Sequence, residues 1–176
     1  MKARILGMTC FAILLAGAAG AQTKISGTVT CAKPDVVGTQ EVGDHPGHTL
    51  TLTKGTCSWS KPMEIEGAKT KDDTDAGFTE ATATRMTGSG FVVGTLDSGD
   101  KMFVSVHDST PIKDGKPGET AGTWSFTGGT GKIKGIKGKG TYKGTGSADG
   151  SITFDVEGEY SMPAPAAPKA AKPKSK

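Results

Sequence analysis

The stretch that decides the fold is SITFDVEGEYSM, residues 151–162. Every even position from Ile152 to Met162 carries an apolar or aromatic side chain or a glycine, and polar residues occupy every position between them. This strict period of two predicts a β-strand with one buried side and one solvent-facing side. The Asp149-Gly150 pair just before it suits a tight hairpin turn, so a preceding antiparallel strand is expected.

The same alternation recurs along most of the chain from residue 22 onward, and no segment there has a convincing helical period. The expected strands lie near residues 25–31, 49–53, 63–70, 78–86, 90–96, 101–107 and 123–127. One wet side per strand and short connections indicate an antiparallel meander. Because closing a meander removes exposed edges, we expect an all-β, antiparallel up-and-down barrel of about eight strands. A β-sandwich is the alternative.

The stretch GGTGKIKGIKGKGTYKGTG, residues 128–146, combines glycine with lysine at close intervals. A phosphate-binding P-loop requires serine or threonine after its Gly-Lys pair, whereas Ile133 follows Lys132 here. A nucleic-acid surface requires several aromatic residues for stacking, and Tyr142 is the only one present. The remaining interpretation is structural: glycines allow a sheet to bend or strands to approach closely, and lysines discourage intermolecular pairing.

Residues 126–144, FTGGTGKIKGIKGKGTYKG, resemble the glycine-rich signature of the allene oxide cyclase/dirigent-like barrel group. The strand pattern agrees over about residues 88–160. The resemblance implies an eight-stranded antiparallel barrel with a central apolar cavity, often in a homo-oligomer. It transfers no catalytic residue, because no position here matches a functional residue of that group. The chain differs from the group by its bacterial-style leader, its cysteine pair and its lysine-rich tail.

The two ends of the chain predict export. Residues 1–21 have a positive start at Lys2 and Arg4, an apolar run, and small residues before a cleavage site between Ala21 and Gln22, as in a secretory signal peptide. An uncleaved anchor is the alternative, although the run is short for a membrane span. The predicted location is therefore secreted or periplasmic, in a bacterial cell envelope.

The barrel domain is predicted to span residues 22–162, with an extended Pro/Ala/Lys tail over residues 163–176. The leader holds two of the 21 basic residues and the tail holds four, which leaves 15 basic against 18 acidic residues in the domain. A mildly acidic domain argues against nucleic-acid binding. The tail lysines either contact anionic envelope polymers weakly or only increase solubility.

Two cysteines remain after cleavage, Cys31 and Cys57. In an exported protein the simplest prediction is one disulfide, which would close a loop of about 26 residues. A reactive thiol or a metal-binding pair is the alternative, but the C-x-x-C spacing of such pairs is missing.

The best local constellation for chemistry is DHPGH, residues 44–48. His45 and His48 beside a carboxylate predict a zinc or copper site, with His107 as a distant third ligand; a polar turn is the alternative. Residues 72–75, DDTD, lack the glycine and distal glutamate of a calcium loop and are expected to form a solvated acidic loop. No cofactor is predicted.

The function expected from these patterns is the non-enzymatic binding of a small apolar molecule in the barrel. The expected inward-facing wall consists of Trp124, Phe126, Ile152, Phe154, Val156 and Tyr160. No carboxylate is expected on an apolar side of a strand, so acid–base catalysis has no candidate. A cyclase or isomerase acting inside the barrel, or an envelope-associated structural protein using the tail, are the alternatives.

Overall fold

The computed structural model describes residues 22–164, where it contains eleven strands and a short 3-10 helix at Gly131–Ile133. The expected signal peptide and nearly all of the expected tail lie outside the described residues. The strands are β1 (Thr23–Cys31), β2 (Asp35–Glu41), β3 (Thr49–Lys61), β4 (Glu64–Ile65), β5 (Ala68–Ala81), β6 (Arg85–Leu96), β7 (Lys101–Lys113), β8 (Lys116–Pro117), β9 (Thr120–Gly129), β10 (Lys137–Gly146) and β11 (Ile152–Ser161).

Eight of these strands form a closed antiparallel barrel in the order β3, β1, β11, β10, β9, β7, β6, β5, and the circle closes where β5 pairs with β3. Each barrel strand is paired with the barrel strands before and after it in the chain, and β1 meets β11. This is an up-and-down barrel, so the predicted fold class is confirmed. The sandwich alternative is wrong, because closure leaves the eight strands without a free edge.

The alternation that predicted β11 is the alternation of the structure. Phe154 and Val156 face inward and are partly buried, and Tyr160 is 5% exposed, whereas Asp155 and Glu157 point to solvent. On β9, Trp124 and Phe126 are each 6% exposed and their rings meet edge to face, with centroids 5.0 Å apart. One wet side and one packed side per strand therefore produce a barrel with an apolar core.

One end of the barrel is closed by its connecting segments, and we call it the closed end. Met63 and Ile65 enter the core from the connection between β3 and β5, and Ile133 and Ile136 enter from the connection between β9 and β10. All four are at most 4% exposed. Burying these side chains stabilises the barrel by roughly 1.5–3 kcal/mol each, and it shuts this end to solvent.

At the other end, the sheet continues past the barrel on one side, and we call this the open end. β1 ends at Cys31, which pairs with Cys57 on β3, and Cys57 pairs with Asp73 on β5. Beyond that row, β3 and β5 continue to Thr49 and Ala81, and β2 pairs with the edge of β3 that β1 has left. β1 does not reach this level, so the inner face of the extension is open on the side of β1.

The glycines of the glycine-lysine stretch leave room for bulky core residues on the neighbouring strands. Gly131 and Gly135 have positive φ values in the turn before β10, and the lysines of β10 point outward. A β-carbon on Gly140 would lie 2.6 Å from Trp124 Nε1 and 2.7 Å from Gly158 Cα. These glycines are therefore required because large inward side chains lie directly on the neighbouring backbone, as the structural interpretation expected.

Gly140→Ala is expected to destabilise the barrel by about 1–3 kcal/mol, because the added methyl group overlaps Trp124 and the backbone of β11. The matched control is Gly38→Ala on the exposed strand β2, where no atom lies within 4 Å of the new β-carbon. Urea unfolding followed by tryptophan fluorescence measures both variants. Equal stability losses would contradict this account of the glycines.

Cys31 and Cys57 form a disulfide that joins β1 to β3. The two residues are direct neighbours in the pairing register and are separated by 26 positions in the chain. The bond lies in the last paired row of β1 and β3, next to the point where β3 begins to pair with β2. It therefore fixes the junction between the closed barrel and the open end.

Two sequence expectations about acidic residues are wrong. Residues 72–75 form part of strand β5 and not a loop, and Asp73 is buried. Asp73, Asp75 and Asp108 all occupy inward positions of their strands, so carboxylates do lie on the inner face. A β-bulge in β5 explains why Asp73 and Asp75 face inward: the register shifts between Thr70 and Asp72, and this shift reverses the alternation of inward and outward side chains.

Candidate functional site

The inner face of β5 carries two carboxylates, Asp73 and Asp75, which the sequence placed in an acidic loop. Thr70 and Asp73 are buried, whereas the two residues between them, Lys71 and Asp72, are both exposed. Asp75 follows Asp73 on the same face, since side chains two positions apart on a strand point the same way. The pair lies beside the disulfide, because Cys57 is the neighbour of Asp73 in the register.

Asp73 is a carboxylate that is only partly satisfied. It is 6% exposed; its Oδ2 accepts a hydrogen bond of 3.0 Å from Trp59 Nε1, and its buried Oδ1 has no hydrogen-bond partner. Burial raises the pKa of Asp73 to about 6, and the charges of Asp72 and Asp75 add to this, while the Trp59 hydrogen bond acts in the opposite direction. The group therefore titrates close to neutral pH.

Asp75 is more accessible than Asp73. Its Oδ1 lies 3.9 Å from the disulfide sulfur of Cys57, and the carboxylate lies over Gly55, its register neighbour on β3. Burial raises the pKa of Asp75. On the other side it is paired with Val92, an apolar inner-face residue of β6 that is only partly buried.

Asp108 is inward-facing but satisfied. Tyr142, on β10, donates a hydrogen bond of 2.8 Å from its hydroxyl to Asp108 Oδ2. Burial and the charge of Asp108 raise the pKa of Tyr142, so this tyrosine remains a proton donor at physiological pH. Gly122 lies between the two residues in the register and leaves room for the tyrosine ring. This hydrogen bond therefore connects β10 to β7 across the intervening strand β9.

The inner face between these carboxylates is lined by apolar side chains that are only partly covered. Trp59, Val92, Val106, Phe154 and Val156 pack against the core but keep some exposure. Of the expected wall residues, Phe154, Val156 and Ile152 are therefore inward and partly accessible, whereas Trp124, Phe126 and Tyr160 are packed into the core. Solvent reaches the inner face where the core residues of the closed end stop.

The DHPGH stretch lies in the loop between β2 and β3, near the tip of the open end. His48 Nδ1 lies 2.7 Å from Asp44 Oδ1, and His48 Nε2 lies 3.0 Å from Glu80 Oε1 on β5. The hydrogen bond to Asp44, aided by Glu80, raises the pKa of His48. His107 is separate: it lies on β7 and its Nδ1 contacts Ser89 Oγ at 2.9 Å, so it is not part of this group.

The outer surface offers two further features. A shallow open groove of about 790 Å³ crosses β1, β11, β10 and β9, and its mainly apolar surface is flanked by the charged residues Lys24, Lys139, Glu157 and Glu159. On the opposite strands, apolar side chains point to solvent: Leu52 is 54% and Phe91 67% exposed, and Phe78, Val93 and Phe103 lie nearby in the register. Neither feature contains the titrating carboxylates.

Among residues 22–164, no helix is long and apolar enough to cross a membrane. No protein-family model matches the chain, and no curated protein matches it.

The solved structures that are similar to the chain include two proteins of unknown function. A protein of unknown function from Shewanella oneidensis, of the DUF3224 family, is 14% identical over 81% of this chain and 98% of that one, with a TM-score of 0.48. A conserved protein of unknown function from Rhodopseudomonas palustris is 9% identical over 79% of this chain and 98% of that one, with a TM-score of 0.49. No residue role is taken from either.

Proposed function

We propose that this protein is an exported, non-enzymatic binding protein whose barrel holds a small molecule on the inner face at the open end. The observation that carries the proposal is the partly exposed inner face, where apolar side chains surround carboxylates that burial has desolvated. Such a mixture of apolar wall and few convergent polar groups is typical of small-molecule sites. The disulfide and the predicted leader support an oxidising, extracytoplasmic location.

The carboxylates refine the chemistry of the molecule. A purely apolar ligand would desolvate Asp75, the more accessible of the two carboxylates, still further. A ligand with an apolar body and a positively charged or hydrogen-bond-donating group satisfies both the apolar wall and Asp75. We therefore propose a small amphipathic cation as the ligand class, in place of the wholly apolar molecule expected from the sequence.

Two probes that share one dye test this proposal. Dansylcadaverine carries a terminal ammonium group, and dansyl-aminohexanoic acid carries a carboxylate on a similar arm. We expect the cation to bind the mature protein at least about tenfold more tightly, since a charge-assisted hydrogen bond contributes roughly 1.5–3 kcal/mol. Asp75→Asn should remove this preference, and Asp72→Asn, an outward residue of the same strand, should keep it.

Native mass spectrometry of the protein purified from its own envelope complements the probes. A defined extra mass that organic extraction removes supports a carried ligand and gives its size. Equal binding of both probes, or a preference that survives Asp75→Asn, would contradict the proposed site. Absence of binding by either probe, together with a bare mass, would contradict ligand binding itself.

A second candidate function is proton transfer inside the barrel, as in the cyclase or isomerase alternative. The observation that favours it is the pKa of Asp73 at about 6, which suits a general acid or base. Against it, Asp73 is 6% exposed, and its Oδ1 lies over Gly94 beside Met102, where a substrate has little access. Binding is therefore the function that the geometry supports best.

The remaining sequence expectations stay predictions. The eight-stranded barrel supports the resemblance to the allene oxide cyclase/dirigent-like group at the level of fold, and membership of that group is a proposal. The same holds for the homo-oligomer, for the leader over residues 1–21 and for envelope contacts of the tail. Deleting residues 163–176 should release the protein from envelope fractions if the tail anchors it.

A further inference from the structure

We propose that Asp44, His45 and His48 form a binding site for a divalent transition metal, with Zn²⁺ and Cu²⁺ as the ions that fit. This inference is independent of the proposed ligand site, which lies on the inner face of the barrel. Three possible ligand atoms, one from each residue, all lie within 4.8 Å of one another. The site is on the β2–β3 loop, so a metal there requires no change in the barrel.

The two imidazole rings converge on one carboxylate oxygen. His45 Nδ1 lies 3.1 Å and His48 Nδ1 lies 2.7 Å from Asp44 Oδ1. Ligands about 2.1 Å from a tetrahedral zinc ion are about 3.4 Å apart. Each Nδ1 atom therefore needs to move only slightly away from the Asp44 oxygen for a metal to fit between them. The two rings are stacked with centroids 4.6 Å apart, and a rotation of the exposed His45 ring would turn its Nδ1 lone pair toward the ion that His48 Nδ1 binds.

Glu80 gives the second, independent indication. Its Oε1 lies 3.0 Å from His48 Nε2. A metal-binding histidine commonly donates its other ring N–H to a carboxylate, which fixes the tautomer and makes the ligating nitrogen more basic. Here Glu80 would hold the proton on Nε2 and leave the Nδ1 lone pair of His48 free for the metal.

The loop backbone holds the three residues in place. Val42 N–H donates to His48 O at 2.9 Å, and His48 N–H donates to His45 O at 3.3 Å. Gly43 and Gly47 have φ values of +87° and +76°, which the turn requires and which larger side chains rarely adopt. The ligands are therefore prearranged by the fold, and binding does not have to order a flexible segment.

The donor set selects the class of metal. Two imidazole nitrogens and one carboxylate oxygen suit Zn²⁺ and Cu²⁺, whereas Ca²⁺ and Mg²⁺ require mostly oxygen ligands. Three protein ligands leave at least one position for water. By the usual order of affinities, Cu²⁺ should bind more tightly than Zn²⁺. A bound ion would also tie the β2–β3 loop to β5, because Glu80 belongs to β5.

Isothermal titration of the tag-free mature protein with ZnCl₂ tests the site. We expect one Zn²⁺ per chain in the wild type and at least a tenfold loss of affinity in His45→Gln and His48→Gln. Glu80→Gln, which removes only the charge beside His48 Nε2, should weaken binding by about 10- to 100-fold. The matched control is His107→Gln, an exposed histidine outside the group, which should bind as the wild type does.

Two readouts separate coordination from loss of folding. Long-range ¹H–¹⁵N spectra of the histidine rings should show that Zn²⁺ shifts Nδ1 of His45 and His48 and leaves His107 unchanged. Electron paramagnetic resonance of the Cu²⁺ form should show coupling to two nitrogens. Absence of saturable Zn²⁺ binding below about 1 mM, or equal losses in His107→Gln and His48→Gln with circular dichroism unchanged, would overturn the proposal.

Discussion

Asp73→Asn should stabilise the barrel by up to about 3 kcal/mol at pH 7, although it replaces a hydrogen-bonded carboxylate. Asparagine keeps an acceptor for Trp59 and carries no charge, but its buried amide N–H groups take the place of Oδ1, which has no partner, and this reduces the gain. In the wild type the pKa of Asp73 is about 6, against 3.8 for the free group. A difference of about 2 units corresponds to about 3 kcal/mol, at 1.36 kcal/mol for each unit.

The direction of the pH dependence follows from the same shift. The folded protein binds the Asp73 proton more tightly than the unfolded chain does, because the pKa of the folded state is raised. The free energy of unfolding of the wild type therefore falls as pH rises from about 4 to about 6 and stays constant above that. The free energy of unfolding of Asp73→Asn, relative to wild type, should therefore increase by about 2–3 kcal/mol between pH 4 and pH 7.

Urea unfolding at a series of pH values measures this difference. Asp35→Asn is the control, because Asp35 is an exposed residue of the edge strand β2. A stabilised Asp73→Asn with unchanged Asp35→Asn is the expected result. If Asp73→Asn instead destabilises the protein at pH 7, the negative charge has a stabilising partner and the assignment of Asp73 as an unsatisfied group is wrong.

A destabilising buried charge is a common sign of a functional residue. Carboxylates whose pKa is raised by burial cluster at binding and catalytic sites. A cation bound at Asp75 would offset the charge of Asp75, which raises the pKa of Asp73, and so would reduce the cost of the buried Asp73 charge. Ligand binding and the stability of the barrel are thereby linked at one pair of side chains.

The strand alternation was enough to predict the barrel because it is set by local chemistry. Residues 151–162 predicted β11 correctly, since each apolar residue there has a place in the core and each polar residue a place in solvent. The glycines of β10 were also interpreted correctly. Their partner was not predictable: Trp124 lies over Gly140 only because β9 and β10 pair in one particular register.

The acidic inner face was not predictable from a period of two. Residues 72–75 were expected in a loop, whereas they continue β5, and the bulge at residues 70–72 sets the phase that turns Asp73 and Asp75 to the inner side. Asp108 was overlooked for a different reason: its tyrosine partner is on β10, 34 positions away in the chain. Long-range pairing of this kind has no local signal, whereas the spacing of His45 and His48 within one short loop does.

Loss of the disulfide is the second large effect that we expect. Replacing Cys31 and Cys57 together by alanine should lower the free energy of unfolding by about 3 kcal/mol. In the loop-entropy model the bond restricts a loop of about this size in the unfolded chain, and its removal restores that freedom. Urea unfolding of the double variant, and of wild type with and without reductant, provides two independent measurements.

The position of the bond predicts a local effect beyond this stability loss. Cys57 lies beside Asp73 in the register, and its sulfur lies 3.9 Å from Asp75 Oδ1. Without the bond, β1 and β3 can separate where β3 begins to pair with β2, so hydrogen exchange should increase in residues 29–31 and 55–59 before it increases in β9 or β10. Exchange that increases evenly around the barrel would mean that the disulfide acts only on the unfolded chain. Exchange confined to the junction would mean that it also shapes the inner face on which Asp73 and Asp75 lie.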